Sequence, residues 1–201
     1  MRRGGLLNAT AGGVRPEDAT LTYWDEKRQT YRTRPSTAAH IAHLVAHILE
    51  RGPRVPAPPA APAHLRRSGL PAIADTDPVF YRHPVDTFDA DGNLVHRQVR
   101  PVTRKHIESL FARIKRHLPW ARERQLRPHD LRHTSARLVY RAADEQMARL
   151  HLAHDARSTT DHYLTEQLEA LARLKEELFG GAADPAGPDR DADPAPRPGD
   201  R

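Results

Sequence analysis

Proline sets the first limit on what this chain can fold into. Inside a helix it removes a backbone donor and clashes with the preceding turn, at a cost of roughly 3 kcal/mol, and within sheets it is tolerated only at edges. Ten of the 18 prolines in the 201 residues fall in two short stretches, Gly52 to Pro62 (GPRVPAPPAAP) and Asp184 to Pro198 (DPAGPDRDADPAPRP). Neither stretch carries an apolar period, so residues 52–63 read as a linker inside the fold and residues 180–201 as a disordered tail. What remains is one domain over residues 1–179, interrupted once. Hydrophobic residues make up 38% of the chain and charged residues 29%, enough for a single core but not for a chain that folds end to end.

Three folding segments follow from periodicity. Ala19 to Trp24 and Gln29 to Arg34, rich in Thr and aromatics, flank the charged turn Asp25-Glu26-Lys27-Arg28 and predict a hairpin. Ser36 or Thr37 then caps a helix carrying Ile41, Leu44, Val45 and Ile48 on one face. Beyond the linker, Pro78 to Arg82 is strand-like, and Val85 to Val99 predicts a second hairpin turning at Asp91-Gly92. Thr103 opens a helix with Ile107, Leu110, Phe111, Ile114 and Leu118 as its apolar face. The last segment is helical over Asp130 to Arg141 and Asp144 to Leu152. A polar loop follows at Asp155 to Thr159, and then a helix patterned by Leu164, Leu168, Leu171, Leu174 and Leu178. The expected class is mainly α with a small antiparallel β-sheet (α+β).

Charge and missing residue types narrow the function. The net charge is +6, but residues 180–201 hold five Asp and three Arg, so the part expected to fold carries +8. A basic, arginine-rich surface suits a phosphate-rich partner, because each neutralised phosphate releases a counterion. The absence of cysteine excludes disulfides, thiolate metal sites and cysteine nucleophiles, leaving oxygen or nitrogen for any covalent chemistry. No apolar run approaches the roughly 20 residues that span a bilayer, and Met1 to Leu7 lacks a signal-peptide core, so the expectation is a cytoplasmic protein without a membrane partner.

The densest cluster of polar chemistry is Arg127-Pro128-His129-Asp130-Leu131-Arg132-His133-Thr134, at a helix start. His129 and Arg132 share a helical face and can both address one phosphate; solvated side chains at a helix start are the plainer alternative. His129 and His133 have the H-x-x-x-H spacing of a zinc helix, yet Asp130 stands where the general-base Glu would be and no third ligand is marked. Asp89, Asp91 and Gly92 sit at EF-hand offsets, but Thr87 and Gln98 replace the first and last ligands, and a turn suffices. His40, His43 and His47 share a helical face beside the apolar stripe and read as polar-face residues.

Taken in order, these residues resemble a known family. The stretch PHDLRHTSARLVYRAADEQMARLHLAHDARSTTDHYL, Pro128 to Leu164, is similar to the catalytic domain of the tyrosine recombinases (phage integrases): a P-H-x-L-R-H-T helix start, an L-G-H segment and T-T-x-x-Y. The nine-residue step from His154 to Tyr163 matches that pattern. Upstream, Leu6 to Asp25 (LLNATAGGVRPEDATLTYWD) resembles the first-arginine motif T-G-x-R-x-x-E leading into a W-x-D strand, and Lys27 to Arg34 resembles the K-T-x-x-S-R hairpin. The resemblance covers most of residues 6–179. Ala153 replaces the glycine of L-G-H, and Thr10-Ala11-Gly12-Gly13 carries one extra residue before Arg15.

The resemblance implies a site-specific DNA recombinase or integrase with catalytic residues Arg15, Lys27, His129, Arg132, His154 and the nucleophile Tyr163. Tyr163 would form a 3′-phosphotyrosine, Arg15 and Arg132 would hold the non-bridging oxygens, and His129 would help accept the tyrosine proton. His154 would hydrogen-bond a phosphate oxygen, and Lys27 would protonate the leaving 5′-oxygen. The reaction implied needs no cofactor and no metal; the partners implied are double-stranded DNA and further copies of the chain assembled on it. Family members usually carry a helical core-binding domain before the first-arginine motif, so the alternative expectation is a truncated, non-catalytic DNA-binding remnant. A type IB topoisomerase is a lesser alternative.

Overall fold

The computed structural model describes residues 7–152 and 161–181, with the helix backbone alone at 161–165. The tail expected over 180–201 lies, from 182 on, outside the described residues.

Thr/aromatic alternation builds a three-stranded antiparallel sheet ordered β1 (Ala9–Arg15), β2 (Thr20–Asp25), β3 (Thr30–Pro35). The expected hairpin is β2–β3, with Thr20 opposite Pro35 and Asp25 opposite Thr30. Period-two patterning turns Leu21 and Tyr23 into the core. On the other face Trp24 meets its cross-strand partner Tyr31 edge-on, ring centroids 5.0 Å apart. Strand β1 is a structural addition, since its residues read only as a motif. Its register against β2 is irregular between Ala9 and Val14, where a Cβ on Gly13 would collide with the Thr22 carbonyl. The outer edge of β1 is covered by residues 75–79, through Ala11 N–H to Asp77 O (2.8 Å) and Val79 N–H to Ala9 O (3.0 Å).

Helix α1 (Ala38–Arg51) begins at Thr37, whose hydroxyl accepts the His40 N–H at 3.1 Å. It lays Ile41, Leu44 and Ile48 on the sheet, completing a core with Ala9, Val14, Leu21, Tyr23 and Val79. His47 is drawn into packing rather than left on a polar face: its Nε2 accepts the Tyr81 N–H at 3.3 Å.

The proline-rich stretch is not a free linker. Arg54–Val55 (β4) pairs antiparallel with Leu70–Pro71 (β5) around the short helix α2 (Ala63–Ser68). The Arg54 guanidinium holds this loop by donating to the carbonyls of Gly69 (3.0 Å) and Leu49 (2.6 Å). Gly69 has φ +70°, and a Cβ there would press on Leu94 and the Val55 carbonyl, so glycine is required. The second hairpin is β6 (Val85–Phe88) and β7 (Leu94–Gln98). In its turn the Asp89 carboxylate accepts the N–H groups of Asp91 (3.0 Å) and Asn93 (2.8 Å), bonds that hold it below the usual carboxylate range. The strand-like Pro78 to Arg82 makes only isolated bridges, Thr10 to Pro78 and Tyr81 to Pro101, because the prolines withhold ladder donors.

Helix α3 (Arg104–His117) is capped at Thr103 and buries Ile107 and Phe111. Leu110 (44% exposed) and Leu118 (40%) stay in solvent, which narrows the five-residue face read from the sequence. The short α4 (Pro119–Glu123), absent from that reading, buries Ala121. Then come α5 (Pro128–Ala142), α6 (Glu145–His151) and α7 (Asp161–Phe179), packed around Val139, Ala148, Leu150 and Leu171. Helix α7 also ties this second core to the first: Lys175 Nζ donates to the Pro35 carbonyl (2.7 Å), and Ala38 N–H donates to Glu176 Oε2 (3.0 Å). The whole mixes helices with small antiparallel sheets, as the α+β expectation requires. No described helix is long and apolar enough to cross a membrane.

Candidate active site

The site is built on the first turns of α5. Pro128 at the first helical position presets the backbone, and Asp130 accepts the Arg127 N–H at 2.7 Å, fixing the chain's entry. His129 and Arg132 therefore leave the same end of the helix. His129 is exposed, with its ring edge-on to that of His133 at a centroid separation of 4.3 Å. Arg132 is half-buried, and its guanidinium donates to the Leu152 carbonyl, two residues before His154.

One turn on, Ser135 donates its hydroxyl to the Arg132 carbonyl (2.9 Å). That hydroxyl has one hydrogen, so the 2.9 Å contact with His151 Nε2 runs from the imidazole N–H to Ser135 Oγ. Burial first, and then the positive charge of Lys175, Arg132 and Arg34, pushes His151 down to about 3. The ring is neutral at physiological pH.

The other sequence-derived residues are spread more widely. Arg15 ends β1, exposed, 3.7 Å from Glu17. Lys27 is exposed in the β2–β3 turn, where its backbone N–H donates to Asp25 Oδ1 at 3.2 Å. Arg15 lies opposite Thr20 and Lys27 lies past Asp25, so the full length of β2 separates them, roughly 17 Å at about 3.3 Å per residue. They reach one phosphate together only with both side chains extended toward each other. His154 and the loop around it lie outside the described residues. Tyr163 falls in the first turn of α7, where only the backbone is described, and α7 packs on α5 and α6. Among the described residues the structure thus brings together Arg132, Leu152 and the helix that carries Tyr163.

Two features were missed in the sequence. One is a cavity of about 430 Å³ between the sheet, the start of α1 and α7, lined in part by Arg34, Ser135, His151 and Lys175. The signal for it was available: Lys175 stands four residues after Leu171, on the apolar stripe of its helix. The other is an open cleft of about 670 Å³ in which Arg82 and His83 face His106, Arg113 and Arg116 of α3, with no acidic residue among the described residues that line it. Among the described residues no three His, Asp or Glu side chains gather as a metal would need. Comparison with family models, with curated proteins and with solved structures finds no significant match.

Proposed function

We propose that this chain is a tyrosine-type site-specific recombinase that cuts and rejoins double-stranded DNA. The observation that carries the reading is the Arg132 contact with Leu152, which joins the H-x-x-R helix start to the segment leading into His154 and Tyr163. In the reaction, the Tyr163 oxygen bonds to the scissile phosphorus and the bond to the 5′-oxygen breaks, leaving a 3′-phosphotyrosine and a 5′-hydroxyl. The phosphodiester energy is kept in the covalent link for rejoining. Arg132 neutralises the charge that gathers on the non-bridging oxygens, and His129 receives the tyrosine proton. His154 adds a hydrogen bond to the phosphate, Arg15 a second guanidinium, and Lys27 the proton for the leaving oxygen. The arginine-lined cleft on α3 supports a polyanionic partner.

A second reading, a DNA-binding protein without strand cleavage, is favoured by the placement of Arg15 and Lys27 at opposite ends of β2. A nicked suicide duplex incubated with the protein in EDTA separates the two. The recombinase forms a denaturant-stable protein–DNA adduct that Tyr163→Phe abolishes and Arg132→Ala slows by about a hundred- to a thousandfold. Retention of DNA with no adduct would establish the second reading.

A further inference from the structure

Where α7 crosses the sheet, Leu21, Tyr23 and Pro35 from one side and Phe179 from the other form the apolar walls of the cavity described above. Arg34 and Lys175 bring positive charge to it, and no Asp or Glu is among the described residues that line it. Lys175 gives one N–H to the Pro35 carbonyl and keeps two further donors. Among the described residues no carboxylate forms an ion pair with it. Burial, with Arg34 close by, pushes its ammonium down to about 8, the behaviour of a cation that lacks a counter-charge. Charges withdrawn from water are ordinarily paired. An anion is the missing partner, and the surrounding walls set the rest of its chemistry.

We propose that this cavity binds a small organic carboxylate with an apolar body, aryl or medium-chain alkyl. Its carboxylate lies on Lys175, within the positive field of Arg34, and its body lies against Leu21, Tyr23 and Phe179. Inorganic phosphate fits less well, because a compact, strongly hydrated dianion has no apolar body to cover Leu21, Tyr23 and Phe179 and gives up its water for the polar contacts alone. At about 430 Å³ the space lies within the range of ordinary small-molecule sites. None of Arg15, Lys27, His129 or Arg132 lines the cavity, so the proposal stands whether or not the chain cleaves DNA.

The test is isothermal titration of the full chain with benzoate and octanoate, against benzyl alcohol, 1-octanol and inorganic phosphate. The expected result is saturable binding of at least one carboxylate, at least about tenfold tighter than its alcohol, with no saturable phosphate binding. Lys175→Met, which keeps the side chain's bulk and removes its charge, should weaken the carboxylate by about tenfold or more. Should that variant fail to fold, Arg34→Gln and Phe179→Ala carry the same test from the charged and the apolar side. Four results would each overturn the proposal: no saturable carboxylate binding, an alcohol binding as well as its acid, phosphate binding as well as octanoate, or affinity unchanged in the folded variants.

Discussion

The Ser135 hydroxyl holds His151 Nε2 at 2.9 Å, while burial first, and then Lys175, Arg132 and Arg34, make a proton on the ring unfavourable. In the unfolded chain the same imidazole takes up its proton near 6.5; in the fold it does so only near 3. Between those values the unfolded state binds the extra proton, so stability falls as pH drops from 6.5 toward 3 and is flat with respect to this group above 6.5. From pH 6.5 to 5 the loss is at most about 2 kcal/mol, reduced by the ring's partial exposure. Urea denaturation at pH 7 and pH 5 should show this loss in the natural chain and a smaller one in His151→Gln; equal losses would contradict it. At this scale the sequence displayed His129 and Arg132 plainly, because three-residue spacing is a property of one helix. It could not display the pairing of Ser135 with His151, which are 16 positions apart and meet only when α6 folds back on α5.

Elements divide by how local their causes are. The hairpins β2–β3 and β6–β7 and the start of α1 were legible because a turn or a capping threonine defines each within a few residues. Strand β1 was not, since its two glycines lower strand propensity and its pairing is set by β2 and residues 75–79. The order at the start of the proline-rich stretch was hidden for a similar reason: it comes from the reach of Arg54 to Leu49 and Gly69. Two stability predictions belong here. Thr37→Ala should cost about 1 kcal/mol, because the α1 cap is lost at a nearly buried site. Leu171→Ala, at a residue with no exposed surface in the second core, should cost about 2–5 kcal/mol. Denaturant midpoints check both, and a Leu171→Ala loss smaller than that of Thr37→Ala would mean that α7 does not pack as described.

For the whole molecule, charge is the property that reaches furthest. The +8 carried by residues 1–179 becomes local in the α3 cleft, where Arg113 and Arg116 share a helix face opposite Arg82. If this face follows a DNA backbone, the paired substitution Arg113→Ala with Arg116→Ala should weaken binding to duplexes of unrelated sequence alike. It should also flatten the log–log salt dependence by about 2. Fluorescence anisotropy between low and moderate salt measures that slope, and an unchanged slope would remove the cleft from the DNA path. Helix α7 has a role of another kind at this scale. It supplies one wall of the cavity proposed to take a carboxylate, so occupancy and helix docking are linked quantities there: a ligand at a hundred times its dissociation constant would hold α7 in place by about 2.7 kcal/mol. If Tyr163, which lies on that helix, is the nucleophile proposed above, the concentration of such an acid becomes a dial on how often the nucleophile's support is seated.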